Sequence, residues 1–419
     1  MAEAPGVMRS ALGGRNEAIT QCPGLRAQRP VPFDIVIGGI PRFAAEAPWS
    51  WRLVRRFAAF LPTGARTEMP GRRPRVADAA GQAPIVLVVA DPEAYLVPDA
   101  ARRLVAALDA GAGDVALPVS NEPWSEDARW APPFAYHTPA LLEEAAAAVA
   151  SGAAAPRPAG DPRSPVFAVR RQVLRDLPEA MALDELPAEA ARLGRRVLVA
   201  PGAYLHRYGE MDGQARADLV AKVPAGARAV LDVGCSRGAT AAALRARGVE
   251  TVVGIEPDLG DAAEAGRVCE RVLAQPLEAV REEFPGAFDA VLFGDVLEHL
   301  PDPSAALERV RPWLSPSGVV VASVPNVGHW SVVSELLAGR FDYVPYSLLS
   351  GTHIRFFTRA TLADLFEASG YRLENVESVT FLASPAGAGK LAGLRSIPGA
   401  SPDLEVAEFL VVALPDGRL

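Results

Sequence analysis

Apolar runs separated by polar, helix-compatible stretches set the outline of the chain. Residues 1–30 are polar and Pro-containing and read as a loose tail, and Phe33-Asp-Ile-Val-Ile-Gly38 is the first strand-like run. Residues 41–80 show no clean period beyond a helix around Trp49–Leu61. Ile85-Val-Leu-Val-Val-Ala90 reads as a buried strand, followed by a helix over Pro98–Ala110 and a strand over Val115–Val119. That β-α-β order predicts an open, mostly parallel sheet. An Ala-rich helix over Pro139–Ala150, a strand and helix within Val166–Leu177, and a strand Arg196–Ala200 ending at Pro201 extend it.

The charged stretch Tyr204–Val223 reads as a bridging helix. After Pro224 the alternation sharpens, with strands at Ala229–Val233, Thr251–Ile255, Ala290–Phe293 and Val319–Val324. Helical stretches at 238–247, 259–268, 277–284 and 303–314 fall between them. Strict alternation of the two periods predicts a doubly wound α/β domain. A helix over Leu362–Ser369 and strands over Arg372–Thr380 and Val406–Leu414 close it, and residues 384–403 read as a long loop.

Composition narrows the class. The chain has 419 residues, 50% of them hydrophobic, which is enough for two or three cored domains. A net charge of −8 argues against general attraction to nucleic acid or anionic membrane. Cys22, Cys235 and Cys269 form no CxxC pair, so neither a disulfide framework nor a structural zinc site is expected, and a cytoplasmic location fits. No apolar stretch reaches the ~18 residues of a transmembrane helix. Met1–Gly14 lacks the apolar centre of a secretory signal.

The chemistry concentrates in Val230-Leu-Asp-Val-Gly-Cys-Ser-Arg-Gly238, a buried strand running through a glycine turn into a helix. Gly234 and Gly238 allow close backbone approach to a ligand, and the helix N-terminus offers free N–H groups. Glu256 ends the next strand, where a carboxylate can accept from both hydroxyls of a ribose. The turn lacks the middle glycine that a dinucleotide pyrophosphate requires, so an adenosyl cofactor without phosphates fits better.

Residues 204–380 with the last strand resemble the class I S-adenosylmethionine-dependent methyltransferases. The resemblance rests on Leu231-Asp-Val-Gly-Cys-Ser-Arg-Gly238, Gly254-Ile-Glu-Pro257, Phe288-Asp-Ala-Val-Leu-Phe-Gly-Asp-Val-Leu-Glu-His-Leu-Pro-Asp-Pro303, Ser323-Val-Pro-Asn-Val327 and Gly351-Thr-His-Ile-Arg-Phe-Phe-Thr358, in that order. Tyr204-Leu-His-Arg-Tyr208, with Arg216 and Asp218-Leu219, is similar to the family's cofactor-covering helix. The resemblance implies a Rossmann-like seven-stranded domain over 227–419 that binds S-adenosylmethionine. It implies that Asp232, Gly234, Cys235, Ser236 and Gly238 line the methionine and ribose side, with Glu256 on the ribose. Asp295 and Val296 would face the methyl group. Pro276 stands where the family often has an acid, leaving Gln275 or the backbone of Leu277 for the adenine. An alcohol acceptor needs a base, and His299, His353 and Asp295 are the catalytic candidates, with His329 behind them. Each of these imidazoles has an alternative as a structural hydrogen-bonding group. So has Glu298, as an orienting acid. Arg355 could grip an anion or form a salt bridge, and Phe356-Phe357 suits a core.

Residues 31–203 resemble the GT-A fold of nucleotide-diphospho-sugar transferases, family 2 in particular. Ile85-Val-Leu-Val-Val-Ala-Asp-Pro-Glu93 places Asp91 and Glu93 where that fold holds Mg²⁺ or Mn²⁺ on a nucleotide-sugar. Gly194-Arg-Arg-Val-Leu-Val-Ala-Pro-Gly-Ala-Tyr-Leu-His206 is similar to its closing strand. The Pro-x-Tyr-Asn turn is missing, the acidic base segment is Leu183-Asp184-Glu185, and Glu189 stands for an expected Arg. These departures imply a degenerate domain that binds or positions something. The resulting expectation is an α/β chain of two domains that methylates a hydroxyl of a sugar, glycolipid precursor or natural product. A bifunctional glycosyltransferase–methyltransferase and a non-catalytic cofactor-binding adaptor remain open.

Overall fold

Two β-sheets organise the protein, seen in a computed structural model that describes residues 33–39, 63–70, 72–91, 94–109, 111, 113–121, 128–130, 138–207, 214–344 and 347–417. The expected tail over 1–30, the helix around Trp49–Leu61, Glu93 and Tyr208 lie outside the described residues.

The first sheet contains β1 (Phe33–Gly39), β2 (Thr63–Pro70), β3 (Ile85–Val89), β4 (Ala94–Leu96), β5 (Val115–Ser120), β6 (Arg157–Pro158), β7 (Val166–Arg170) and β8 (Val197–Arg207). Its order is β2-β1-β3-β7-β5-β8-β4, with β6 alongside β8. The sheet is mixed rather than mostly parallel, because β7 runs antiparallel between β3 and β5, and β4 and β6 run antiparallel to β8. The strand β2 was not expected from its polar sequence. Among the described residues it pairs with β1 alone, so its neighbours do not demand an apolar run. Helices α1 (Pro98–Asp109), α2 (Pro139–Ser151), α3 (Arg171–Leu174) and α4 (Leu186–Arg192) accompany this sheet.

Two expectations at the end of this sheet are corrected. β8 does not stop at Pro201. Its pairing with β5 is interrupted between Val199 and Tyr204, and the proline sits in that interruption, where no ladder N–H is needed. Tyr204–Arg207 is therefore strand and not helix, and His206 pairs with Tyr95 across β4. Burial pushes the His206 pKa down to about 3.

The second sheet has the order β11-β10-β9-β12-β13-β15-β14. Its strands are β9 (Ala229–Val233), β10 (Thr251–Ile255), β11 (Arg271–Leu273), β12 (Phe288–Gly294), β13 (Leu314–Pro325), β14 (Tyr371–Thr380) and β15 (Val406–Pro415). All are parallel except β15, which runs against β13 and β14. The order reverses at β9, so the carboxyl ends of β9 and β12 open onto one crevice. Alternation puts Leu231 and Val233 in one core layer and Val230 in the other, and Asp232 shares the face of Val230.

The helices of this half are α5 (Ala217–Lys222), α6 (Ala239–Ala246), α7 (Leu259–Ala265), α8 (Pro303–Val310), α9 (Trp330–Leu337), α10 (Arg359–Ala368) and α11 (Pro385–Arg395). Their starts are written in the sequence. Asp302 caps α8 through Ala305 N–H at 3.0 Å, with Pro303 at the first helical position. The stretch 277–284 forms only a 3-10 turn, Leu277–Ala279, because fully buried Val280 turns extended and Phe284 stacks on Phe288 and Trp313. Within the expected loop 384–403, Ser384 caps α11 through Gly387 N–H at 2.9 Å. Leu391 and Leu394 of α11 pack with Trp330, Leu404 and Leu141 of α2. No helix among the described residues is long and apolar enough to cross a membrane.

Candidate active site

The glycine turn after β9 is held from below. The Ile255 carbonyl accepts from Gly234 N–H at 2.8 Å and Cys235 N–H at 3.2 Å. Gly234 has φ +73°, and a Cβ there would stand 2.6 Å from Val296 Cγ2, so only glycine fits. Gly238 has φ +83°, and its missing Cβ lets the backbone of α7 approach, with Ala265 Cα 3.0 Å from the Cβ position. Cys235 is buried with its Sγ against Gly254, where a Cβ would stand 2.5 Å away. Its hydrogen bond with Cys269 and its burial push its thiol pKa up, which keeps it protonated and non-nucleophilic.

Two carboxylates shape the crevice. Glu256 accepts Ser236 N–H at 2.9 Å and Asp258 N–H at 2.9 Å, so it clamps the turn to the start of α7. Each of its oxygens retains a second lone pair, and burial raises its pKa. Asp232 is 5% exposed, and its Oδ2 is buried without a hydrogen-bond partner among the described residues. Burial, then the charge of Glu256, pushes its pKa up to about 7. An orphaned buried carboxylate oxygen fits a cationic, hydrogen-bonding group such as the ammonium of an amino-acid cofactor.

Asp295 follows β12 with φ +54°. Its N–H donates to Ser323 Oγ at 2.9 Å, and that hydroxyl donates to its Oδ1 at 2.9 Å. Arg216 fixes the other oxygen and also donates to Ser323 Oγ at 3.0 Å, Asp218 Oδ2 at 2.8 Å and Glu408 Oε1 at 2.7 Å. Burial opposes the Arg216 charge, but Asp218, Asp295 and Glu408 outweigh it and raise its pKa. Burial and Asp295 together push Glu408 up to about 8. Ser323 and Glu408 were missed as site residues. The available signal was a lone acid in the apolar run of β15.

Glu298 and His299 follow on a 3-10 turn, and His353 arrives from the segment after α9. The Glu298 carbonyl accepts Ile354 N–H at 2.9 Å and Arg355 N–H at 3.0 Å, which ties the two segments together. The His299 and His353 rings meet edge to face, centroids 4.8 Å apart. Desolvation lowers both imidazole pKa values, that of His353 to about 4. His329 stands apart as the buried cap of α9, bonded to Ser331 Oγ at 2.8 Å. The Arg355 guanidinium donates to the backbone carbonyls of Ile354 and Pro301, and it forms no salt bridge among the described residues. Phe357 is buried in the core with Leu362 and Phe409, while half-buried Phe356 packs against Phe341. Leu277 sends its side chain into the core, and half-buried Gln275 precedes it, its N–H bonded to the Leu273 carbonyl at 2.9 Å.

In the first sheet, Asp91 is 8% exposed and its Oδ2 accepts from Arg207 Nε at 2.8 Å. Asp184 faces Arg73 at 2.9 Å.

A family profile described as a methyltransferase domain matches residues 192–376. The chain is 34% identical over 167 residues to a ubiquinone biosynthesis O-methyltransferase of Xanthomonas axonopodis pv. citri, covering 38% of this chain and 68% of that protein. It is 32% identical over 176 residues to the protein of the same name in Xylella fastidiosa, covering 40% and 70%. Similar solved structures include S-adenosylmethionine-dependent methyltransferases from Mesorhizobium loti and Archaeoglobus fulgidus. The first is 20% identical with TM-score 0.34, covering 47% of this chain and 95% of that one. The second is 18% identical with TM-score 0.36, covering 47% and 90%. The chain belongs to the S-adenosylmethionine-dependent methyltransferases, and S-adenosylmethionine is its methyl donor.

Proposed function

We propose that this enzyme methylates a hydroxyl oxygen of a small-molecule acceptor. The observation that carries the cofactor side of the reading is the orphaned Oδ2 of Asp232 beside a turn that only glycine can form. When bound, the cofactor supplies a methyl carbon already activated on a sulfonium. Asp232 receives its ammonium, and Glu256 receives its ribose through the lone pairs the backbone leaves free. The turn Gly234–Gly238, with Cys235 and Ser236, forms the wall. Gln275 and the Leu277 backbone border the adenine, and Val296 closes the methyl end. Asp295, fixed by Arg216 and Ser323, positions the acceptor, and His299 and His353 line its side. The name of the relatives supports oxygen as the acceptor atom.

The first sheet is a GT-A-like domain that positions an acceptor rather than transferring a sugar. Arg207 sits on the Asp91 carboxylate, so a cation already neutralises the place where a nucleotide-bound metal would bind. A sugar or glycolipid acceptor fits that reading. Buried free thiols at Cys235 and Cys269 suit a cytoplasmic location. The test is cofactor turnover across hydroxyl-bearing phenols, sugars and glycolipids, with mass analysis of the product. Transfer to an amine or carbon instead would overturn the oxygen assignment. Metal-dependent cleavage of a UDP- or GDP-sugar that is lost in Asp91→Ala would overturn the positioning role.

A further inference from the structure

Glu298, His299 and His353 present one ligand atom each within 4.8 Å of one another. Glu298 is 1% exposed, and neither of its carboxylate oxygens has a hydrogen-bond partner among the described residues. A buried carboxylate left in this state is costly unless a cation or a proton completes it.

The two imidazoles show which. His299 Nδ1 lies 3.2 Å from the Thr352 carbonyl, and His353 Nδ1 lies 3.2 Å from the Leu348 carbonyl. A carbonyl only accepts, so each Nδ1 carries the hydrogen and each Nε2 keeps its lone pair. Bonds of this kind orient metal-ligating histidines elsewhere. His353 Nε2 is 4.0 Å from Glu298 Oε1, too far for a proton to be shared between them. His353 Nε2 and the Glu298 carboxylate therefore face each other as acceptors, with no donor between them among the described residues and the His299 ring beside them.

We propose that Glu298, His299 and His353 bind a divalent transition-metal cation, with one coordination position left open for the acceptor hydroxyl. Two imidazoles and a carboxylate suit zinc or a neighbouring metal better than magnesium, which prefers oxygen alone. Bonds of about 2.1 Å would draw the three donors together by roughly 1 Å, within the freedom of a turn and a loop. The position lies one turn of chain beyond Asp295 and Val296, and Val296 itself borders the glycine turn.

The role of the cation rests on the O-methylation reading, while its binding does not. Coordination lowers the pKa of the hydroxyl, whose proton leaves to solvent. The freed oxygen pair then forms the bond to the methyl carbon. The carbon–sulfur pair stays on sulfur, giving a methyl ether and S-adenosylhomocysteine.

The test uses the full chain, dialysed against a chelator and titrated calorimetrically with ZnCl₂, MnCl₂ and MgCl₂. Elemental analysis counts the bound metal. One equivalent of zinc is expected, with Glu298→Gln, His299→Gln and His353→Gln each weakening it by more than about tenfold. S-adenosylmethionine binding by the same samples shows that they are folded. If Glu298→Gln does not fold, half-buried His299 carries the test. A wild-type protein that binds S-adenosylmethionine but no divalent cation overturns the proposal, as do variants that take up zinc like the wild type. Metal uptake without methyl-ether formation on any acceptor leaves the metal site standing and overturns the O-methylation reading instead.

Discussion

Arg216 and Glu408 meet at 2.7 Å, joining the residue ahead of α5 to the last strand of the sheet across the mouth of the crevice. The same guanidinium holds Asp295, so one side chain closes the circuit between the ends of β12, β13 and β15. Arg216→Gln removes the cation and leaves Glu408 and Asp295 facing each other. A loss of about 2 to 3 kcal/mol is expected, at the low end for a buried pair because these groups are partly exposed. Urea unfolding reads it directly, and an unchanged midpoint would sink the clamp. Glu408→Gln should cost less, since it keeps an acceptor for the arginine.

Gly234→Val is expected to abolish cofactor binding in a folded protein. Its side chain would enter the space of Val296 Cγ2, 2.6 Å from the Cβ position, and its φ of +73° disfavours a β-branched residue. Calorimetry gives the affinity and circular dichroism the fold. Wild-type affinity in this variant would contradict the close-approach argument.

Asp232 gives a pH signature. Its pKa stands near 7 in the folded, cofactor-free protein against a usual 3.8. Folding therefore favours the protonated form, so this stabilisation is complete below about pH 4 and is lost as pH rises through 7. The ammonium of the cofactor prefers the carboxylate. Affinity for S-adenosylmethionine should accordingly rise up to tenfold per unit toward pH 7 and fall again where the cofactor's own ammonium deprotonates, at about pH 8. Asp232→Asn should flatten both profiles and weaken binding. Wild-type and variant profiles that run parallel would remove Asp232 from the site.

Gly387→Ala tests the packing of α11. A Cβ there would stand 2.5 Å from Trp330 Cη2, so overpacking should cost about 1 to 3 kcal/mol despite the better helix propensity of alanine. A stabilised variant would mean that the helix does not press on Trp330.

The second sheet was legible because local signals agreed with the packing. β9 is apolar apart from Asp232, the glycines of the turn after it sit where φ turns positive, and Asp302-Pro303 starts α8 by the usual cap. The misses have separate causes. Residues 277–284 carry good helix formers, but the core takes Val280 and Phe284 in another conformation. The helix α11 was hidden by glycine and alanine, although Ser384-Pro385 announced it, because only its contacts with Trp330 and Leu404 make it worth forming. β2 was hidden because an edge strand with one partner needs no apolar alternation. At the site, the sequence singled out Asp232, Glu256, Asp295, His299 and His353. It gave no sign that both Glu298 oxygens lack partners, since that depends on which carbonyls the two histidines reach.

The most direct test of the central claim is mass spectrometry of the product formed from S-adenosylmethionine with a deuterated methyl group. Matched acceptors would differ only in carrying a hydroxyl or an amine. Deuterated methyl on the hydroxyl-bearing member alone is the predicted result. Label on the amine, or on carbon of either member, would contradict the assignment of oxygen as the methyl acceptor.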